Sequence, residues 1–173
     1  MTGDWQPITG DWEEDMPDDK KLLKTGLIVA ALIIVLRIIL EQTGAPETMS
    51  FIFGVAWLYF IMPVFFALAI RAHGSESPYK KLLKDVVLFA VYTRIMVAVT
   101  YMLAWYFKWT PARFSANQGG TVGENVPPFQ GLLLVPLRNL LIWIVMATIV
   151  GMIVGAITLA LKGKQKQNAA GAM

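Results

Sequence analysis

The chain has 173 residues, of which 56% are hydrophobic and only 16% charged, with a formal charge of +3. Soluble domains average about 25% charged residues, so this composition points to lipid as the solvent and leaves little chain for a soluble domain. There is no cysteine and one histidine, His73, which excludes disulfides, cysteine nucleophiles, thiolate metal sites and any multi-histidine metal or bis-histidine haem site within one chain.

Residues 1–19 carry seven acids and no Lys or Arg, the reverse of a cleavable signal peptide. The motif TGDW occurs twice, at Thr2–Trp5 and Thr9–Trp12. Read plainly, this is a solvated acidic tail with too few apolar groups to offset the entropy of ordering. A sharper reading makes it a docking tail, with Trp5 and Trp12 as aromatic anchors in a partner's pocket. A third reading places both indoles at the bilayer interface.

Residues 20–163 read as a single membrane domain of four helices. The first, about 20–41, starts after an Asp18 or Asp19 N-cap and holds Lys20, Lys21 and Lys24 near its beginning. Arg37 stands one turn before Glu41, the spacing of a boundary ion pair, and lies close enough to the helix end to snorkel to the surface. Gly44 and Pro46 then break the helix.

The second helix, about 48–72, is rich in aromatics and contains Pro63. A proline there frees the carbonyl of Tyr59 and predicts a kink, and in a membrane that carbonyl needs another donor. His73 follows at the helix end and reads first as a cap or interface residue, second as an axial ligand to a pigment or haem.

Ser77-Pro78 opens the third helix, about 78–109, which ends in the aromatic belt of Trp105, Tyr106 and Trp109. Residues 110–131 form one substantial outer loop without phosphate-cradling spacing. The fourth helix, about 132–162, has Pro136 marking either a kink or its start. Ala147, Gly151 and Gly155 then recur at four-residue spacing, a packing face that lets another helix approach closely. Gly163 is expected to close this helix, leaving 164–173 as a polar tail.

The fold expected is therefore an all-α integral membrane protein with four transmembrane helices. Lys20, Lys21, Lys24, Arg71, Lys80, Lys81, Lys84, Lys162, Lys164 and Lys166 fall on one side. The positive-inside rule then puts both termini in the cytoplasm of a bacterial inner membrane. The basic residues sit where topology requires them, so no nucleic-acid partner is expected.

One residue resists this bland description. Arg94 lies roughly 15 Å along its helix from Lys84 and roughly 21 Å from Lys108, near the middle of a ~30 Å hydrocarbon core. A charge there costs at least ~2.5–3.5 kcal/mol on insertion scales, so it must face protein, water or ligand. Asp85 lies on the opposite face of the same helix, and Glu41 sits nearer the outer surface. Measured from Arg71, Pro63 is roughly 12 Å and Tyr59 roughly 18 Å into the membrane, at the depth of Arg94. Donation from Arg94 to the carbonyl freed by Pro63, with Tyr59 or Tyr101 completing the shell, is the expectation.

No HExxH, GxSxG or intramembrane carboxylate pair is present, so no enzymatic chemistry is indicated. The first functional expectation is a non-enzymatic accessory or scaffolding subunit, self-associated or joined to a partner membrane protein, resting on Arg94 and the Ala147–Gly151–Gly155 face. The second is a small transporter or channel protomer handling an anion through Arg94. The third is a pigment- or quinone-binding subunit. No cofactor beyond bound lipid is expected.

Overall fold

The structure, a computed structural model, describes residues 18–170, with the backbone alone for Asp19 and for 162–170. The proposed docking tail with Trp5 and Trp12 lies outside the described residues. Five α-helices carry the fold: α1 (Asp19–Gln42), α2 (Glu47–Ile52), α3 (Leu58–Ala72), α4 (Pro78–Phe107) and α5 (Val135–Ala170). No β-strand is present among the described residues, and four segments, 20–42, 47–72, 78–107 and 130–161, are long and apolar enough to cross a membrane.

The second segment corrects the continuous helix expected over 48–72. It breaks after α2 at Phe53-Gly54, where Gly54 is extended (φ −85°, ψ 133°), and re-forms through a 3₁₀ turn at Val55–Trp57. Hydropathy runs straight through this point, but Gly is about 1 kcal/mol poorer than Ala in a helix and yields first. The interruption lies about two and a half turns upstream of Pro63, where a kink is expected. Pro63 itself sits in the second turn of α3, buried.

Two further boundaries move for local reasons. α4 ends at Phe107 rather than 109 because Lys108 turns left-handed (φ 53°), and the amide of Trp109 returns to the Ala104 carbonyl at 3.0 Å. A five-residue π turn at Gln130–Leu134 precedes α5. Pro136 follows it, and a proline unable to donate to the preceding turn favours such a widened entry. At the other end the α5 backbone continues helical through Gly163 to Ala170, so Gly163 does not close it. An isolated glycine weakens a helix without forcing a stop.

α4 is the central element, packing on α1, α3 and α5, while α1 rests on α3 and α4. α4 and α5 run antiparallel in one register through Leu82 with Gly155, Val86 with Gly151 and Arg94 with Trp143, and the register slips by one residue at Trp105 with Gly131, in the π turn. The small residues set that register. A Cβ on Gly151 would lie 2.7 Å from Val86 Cγ1 and 3.1 Å from Pro63 Cγ, and one on Gly155 would lie 2.7 Å from Leu82 Cδ2. The Ala147–Gly151–Gly155 face is therefore occupied inside the chain, by α3 and α4. Gly151→Leu is expected to cost about 1–3 kcal/mol through overpacking, read as a lowered unfolding midpoint in detergent micelles.

Beneath these contacts Phe66, Phe89, Ile70 and Leu82 are fully buried, with Phe89 edge-on to both Tyr59 and Phe66 at 6.1 Å. The loop between α4 and α5 is also built rather than slack. Phe114 is buried and meets Tyr101 and Trp109 edge-on at 5.3 and 5.4 Å. Thr121 Oγ1 donates to the Tyr101 carbonyl at 2.9 Å, and Trp105 Nε1 donates to the Val126 carbonyl at 3.2 Å. The loop is thereby held down on the end of α4, which brings Arg113 over the bundle.

Candidate functional site: an arginine-lined cavity

A cavity of about 380 Å³ lies beside the break at Gly54, in the half of the bundle nearest the loop. Its walls come from all four spanning segments and the loop. Three of its lining residues are arginines: Arg37 from α1, Arg94 from α4 and Arg113 from the loop. The remaining wall is mainly apolar or aromatic, with Phe51, Trp57, Phe60 and Trp143 prominent.

Arg94 is buried at 7% exposure. Its guanidinium carbon lies 4.9 Å from the centroid of the Tyr59 ring and 4.5 Å from that of Trp143. Aromatic faces of this kind offer a cation about 0.5–2 kcal/mol each. The expected donation to the Tyr59 main-chain carbonyl is corrected by this arrangement: Arg94 meets the ring, and Pro63 is turned toward Gly151 instead. Tyr101 shares the cavity wall with Arg94, but its ring packs on Phe114, and Trp143 takes the place expected of it. The Arg94 Nε–H has no hydrogen-bond acceptor among the described residues.

Hydroxyl bookkeeping shows which way the site is polarised. Thr93 Oγ1 donates back along its own helix, 2.7 Å from the Phe89 carbonyl and 3.0 Å from that of Ala90. A hydroxyl has one proton, so the 2.9 Å contact between Tyr59 Oη and Thr93 Oγ1 must be donated by Tyr59. The Tyr59 oxygen is left with acceptor capacity on the Arg94 side. The relay fixes Tyr59 under the guanidinium without supplying a counter-charge.

Glu41 is the one carboxylate among the described residues at the cavity's rim that engages these arginines. Its Oε1 accepts from Arg37 Nε at 2.8 Å, the i,i+4 pair read from the sequence. Its Oε2 lies 2.7 Å from Arg113 Nε as an ion pair across the loop. Burial pulls the Arg113 pKa below its ordinary value, and the nearby Glu41 carboxylate pulls it back up, so the guanidinium stays charged. Arg37 does not simply snorkel away: its Nη1 is 3.6 Å from where a Cβ on Gly54 would sit, which places it at the helix break.

Of the three guanidinium groups, Arg37 and Arg113 share Glu41, while Arg94 makes no contact with it. This is a surplus of about two positive charges, and burial, which lowers the effective dielectric, magnifies it. Arg113 and Trp143 had no visible role in the sequence because both reach the site through tertiary packing. The four-residue recurrence of small positions in α5 was the available signal for Trp143, since it sets which residue faces Arg94.

His73 lies away from the cavity. Its Nδ1 donates to the Ala69 carbonyl at 2.9 Å and closes α3, as a cap does. No cluster of three or more His, Cys, Asp or Glu suited to a metal ion occurs among the described residues. Compared with protein-family models, with curated proteins and with solved structures, the chain matches none.

Proposed function

We propose that the chain is a multipass membrane protein whose work is to bind an anion in the cavity formed by Arg37, Arg94 and Arg113, as a small transporter or channel protomer would. The observation that carries this reading is the charge imbalance: three arginines, one carboxylate, and an Arg94 Nε–H with no acceptor among the described residues. A structural arginine is normally satisfied by its own protein. One that lines a cavity, with a buried Nε–H lacking an acceptor among the described residues, supports a ligand contact.

The accessory-subunit reading keeps less support. Its packing face, Ala147, Gly151 and Gly155, is used within the chain, which leaves it Arg94 and the acidic tail with Trp5 and Trp12. Nothing in the cavity favours a pigment or quinone over an anion.

The test uses purified protein in a neutral detergent, with tryptophan emission as the signal because Trp57 and Trp143 line the site. Dodecyl phosphate, inorganic phosphate and acetate are titrated separately. At least one should produce a saturable change that Arg94→Gln weakens tenfold or more, with the elution volume of the variant unchanged. Loss of assembly in that variant, or no anion-dependent change in the wild type, overturns the proposal.

A further inference from the structure

The sides of the cavity say more than its charges. Phe51 is 67%, Trp57 50%, Phe60 49% and Trp143 42% exposed, although all four line the cavity and lie within the membrane-crossing segments. In a bilayer those faces meet acyl chains rather than water. The cavity therefore opens sideways into lipid, between the α2–α3 break and α5, while its polar end at Glu41 and Arg113 lies toward the loop.

Register places this opening. Trp57 precedes Pro63 by six residues and Trp143 precedes Gly151 by eight, so from the level where Pro63 and Gly151 touch they stand roughly 9 and 12 Å toward the loop. Arg94 and Trp143 face each other there. A ligand with its charged group among the arginines would carry any attached chain out past Phe60 and Trp57.

We infer that the occupant is a lipid with a phosphomonoester headgroup, its phosphate held by Arg37, Arg94 and Arg113 and its acyl chains leaving through the aromatic opening. The inference rests on the anion-binding reading above and names its ligand. Charge selects the headgroup. The three arginines less Glu41 leave a surplus of about two, and a phosphomonoester carries about −1.5 to −2 near neutral pH. A phosphodiester lipid brings a single charge and fewer free oxygens for guanidinium forks. Shape selects the lipid, because a soluble anion would leave the aromatic side of the cavity unfilled.

Native mass spectrometry of the full chain, released from zwitterionic micelles, reads the outcome. Dioleoyl phosphatidic acid is compared with dioleoyl phosphatidylglycerol and inorganic phosphate at equal concentrations. One phosphatidic acid per chain is expected, at least tenfold tighter than phosphatidylglycerol, weakening as pH falls below the second phosphate ionisation near 6. Arg94→Gln and, separately, the rim variant Arg37→Gln should each reduce retention tenfold or more with helical content unchanged. Two variants on different helices, α1 and α4, guard against one simply misfolding. Equal retention of phosphatidylglycerol, or retention indifferent to both substitutions, overturns the inference. Saturable, Arg94-dependent binding of inorganic phosphate without lipid retention would overturn it while leaving the anion-binding reading standing. Absence of both would remove the two together.

Discussion

Glu41→Ala is expected to destabilise the protein by about 2–3 kcal/mol, measured as the shift in unfolding free energy in mixed micelles. Removing one partner of a buried ion pair usually costs about 3–5 kcal/mol, because the remaining charge is left without compensation. Here two charges are left. The Glu41 side chain is 7% exposed, against 18% for Arg113 and 26% for Arg37, so partial access to solvent or headgroups discounts the figure. Glu41→Gln keeps an acceptor oxygen for one arginine but turns its amide NH2, a donor, toward the other, so it should lose nearly as much as the alanine variant. Arg113→Gln in the Glu41→Ala background should recover part of the loss, since one stranded guanidinium disappears, and the double-mutant cycle isolates that coupling. A change below about 0.5 kcal/mol in Glu41→Ala would mean that both arginines already reach water, and the cavity would not be the confined positive site described here.

That bridge shows where sequence reading reaches its limit. The Arg37–Glu41 half was legible because i,i+4 neighbours on a helix meet whatever the fold. The Glu41–Arg113 half was not, because it depends on a loop folding back through Phe114, Thr121 and Trp105 onto the end of α4. The four segments long and apolar enough to cross a membrane were legible from apolar length alone, and the level of Arg94 along its own helix followed from counting. What meets Arg94 required the relative register of two helices. The free-carbonyl argument at Pro63 was sound chemistry applied to the wrong neighbour: depth was right, but azimuth around α3 turns Pro63 to α5 and the Tyr59 ring to α4. The break at Gly54 escaped for another reason. Apolar composition continues through it, so hydropathy reports one span where backbone propensity makes two pieces, and the cavity lies beside that division.

The second large effect separates a structural from a functional arginine. Arg94→Met should leave stability within about 1 kcal/mol of wild type, or raise it, while weakening anion binding by one to two orders of magnitude. On the stability side, two ring contacts worth about 0.5–2 kcal/mol each are lost. Against them stands the ~2.5–3.5 kcal/mol cost of holding a charge at this depth, which methionine removes while filling much of the same volume. The opposing effects nearly cancel, as replacement of buried charges by apolar residues of similar size often does. On the binding side nothing cancels: a charge-assisted hydrogen bond contributes about 1.5–3 kcal/mol, which is roughly tenfold to a hundredfold in affinity. If Arg94 instead held the bundle together, Arg94→Met would unfold it by several kcal/mol and reduce binding only as far as it reduced folding. A stable variant that no longer takes up an anion is the result that assigns the cost of burying Arg94 to the ligand rather than to the fold.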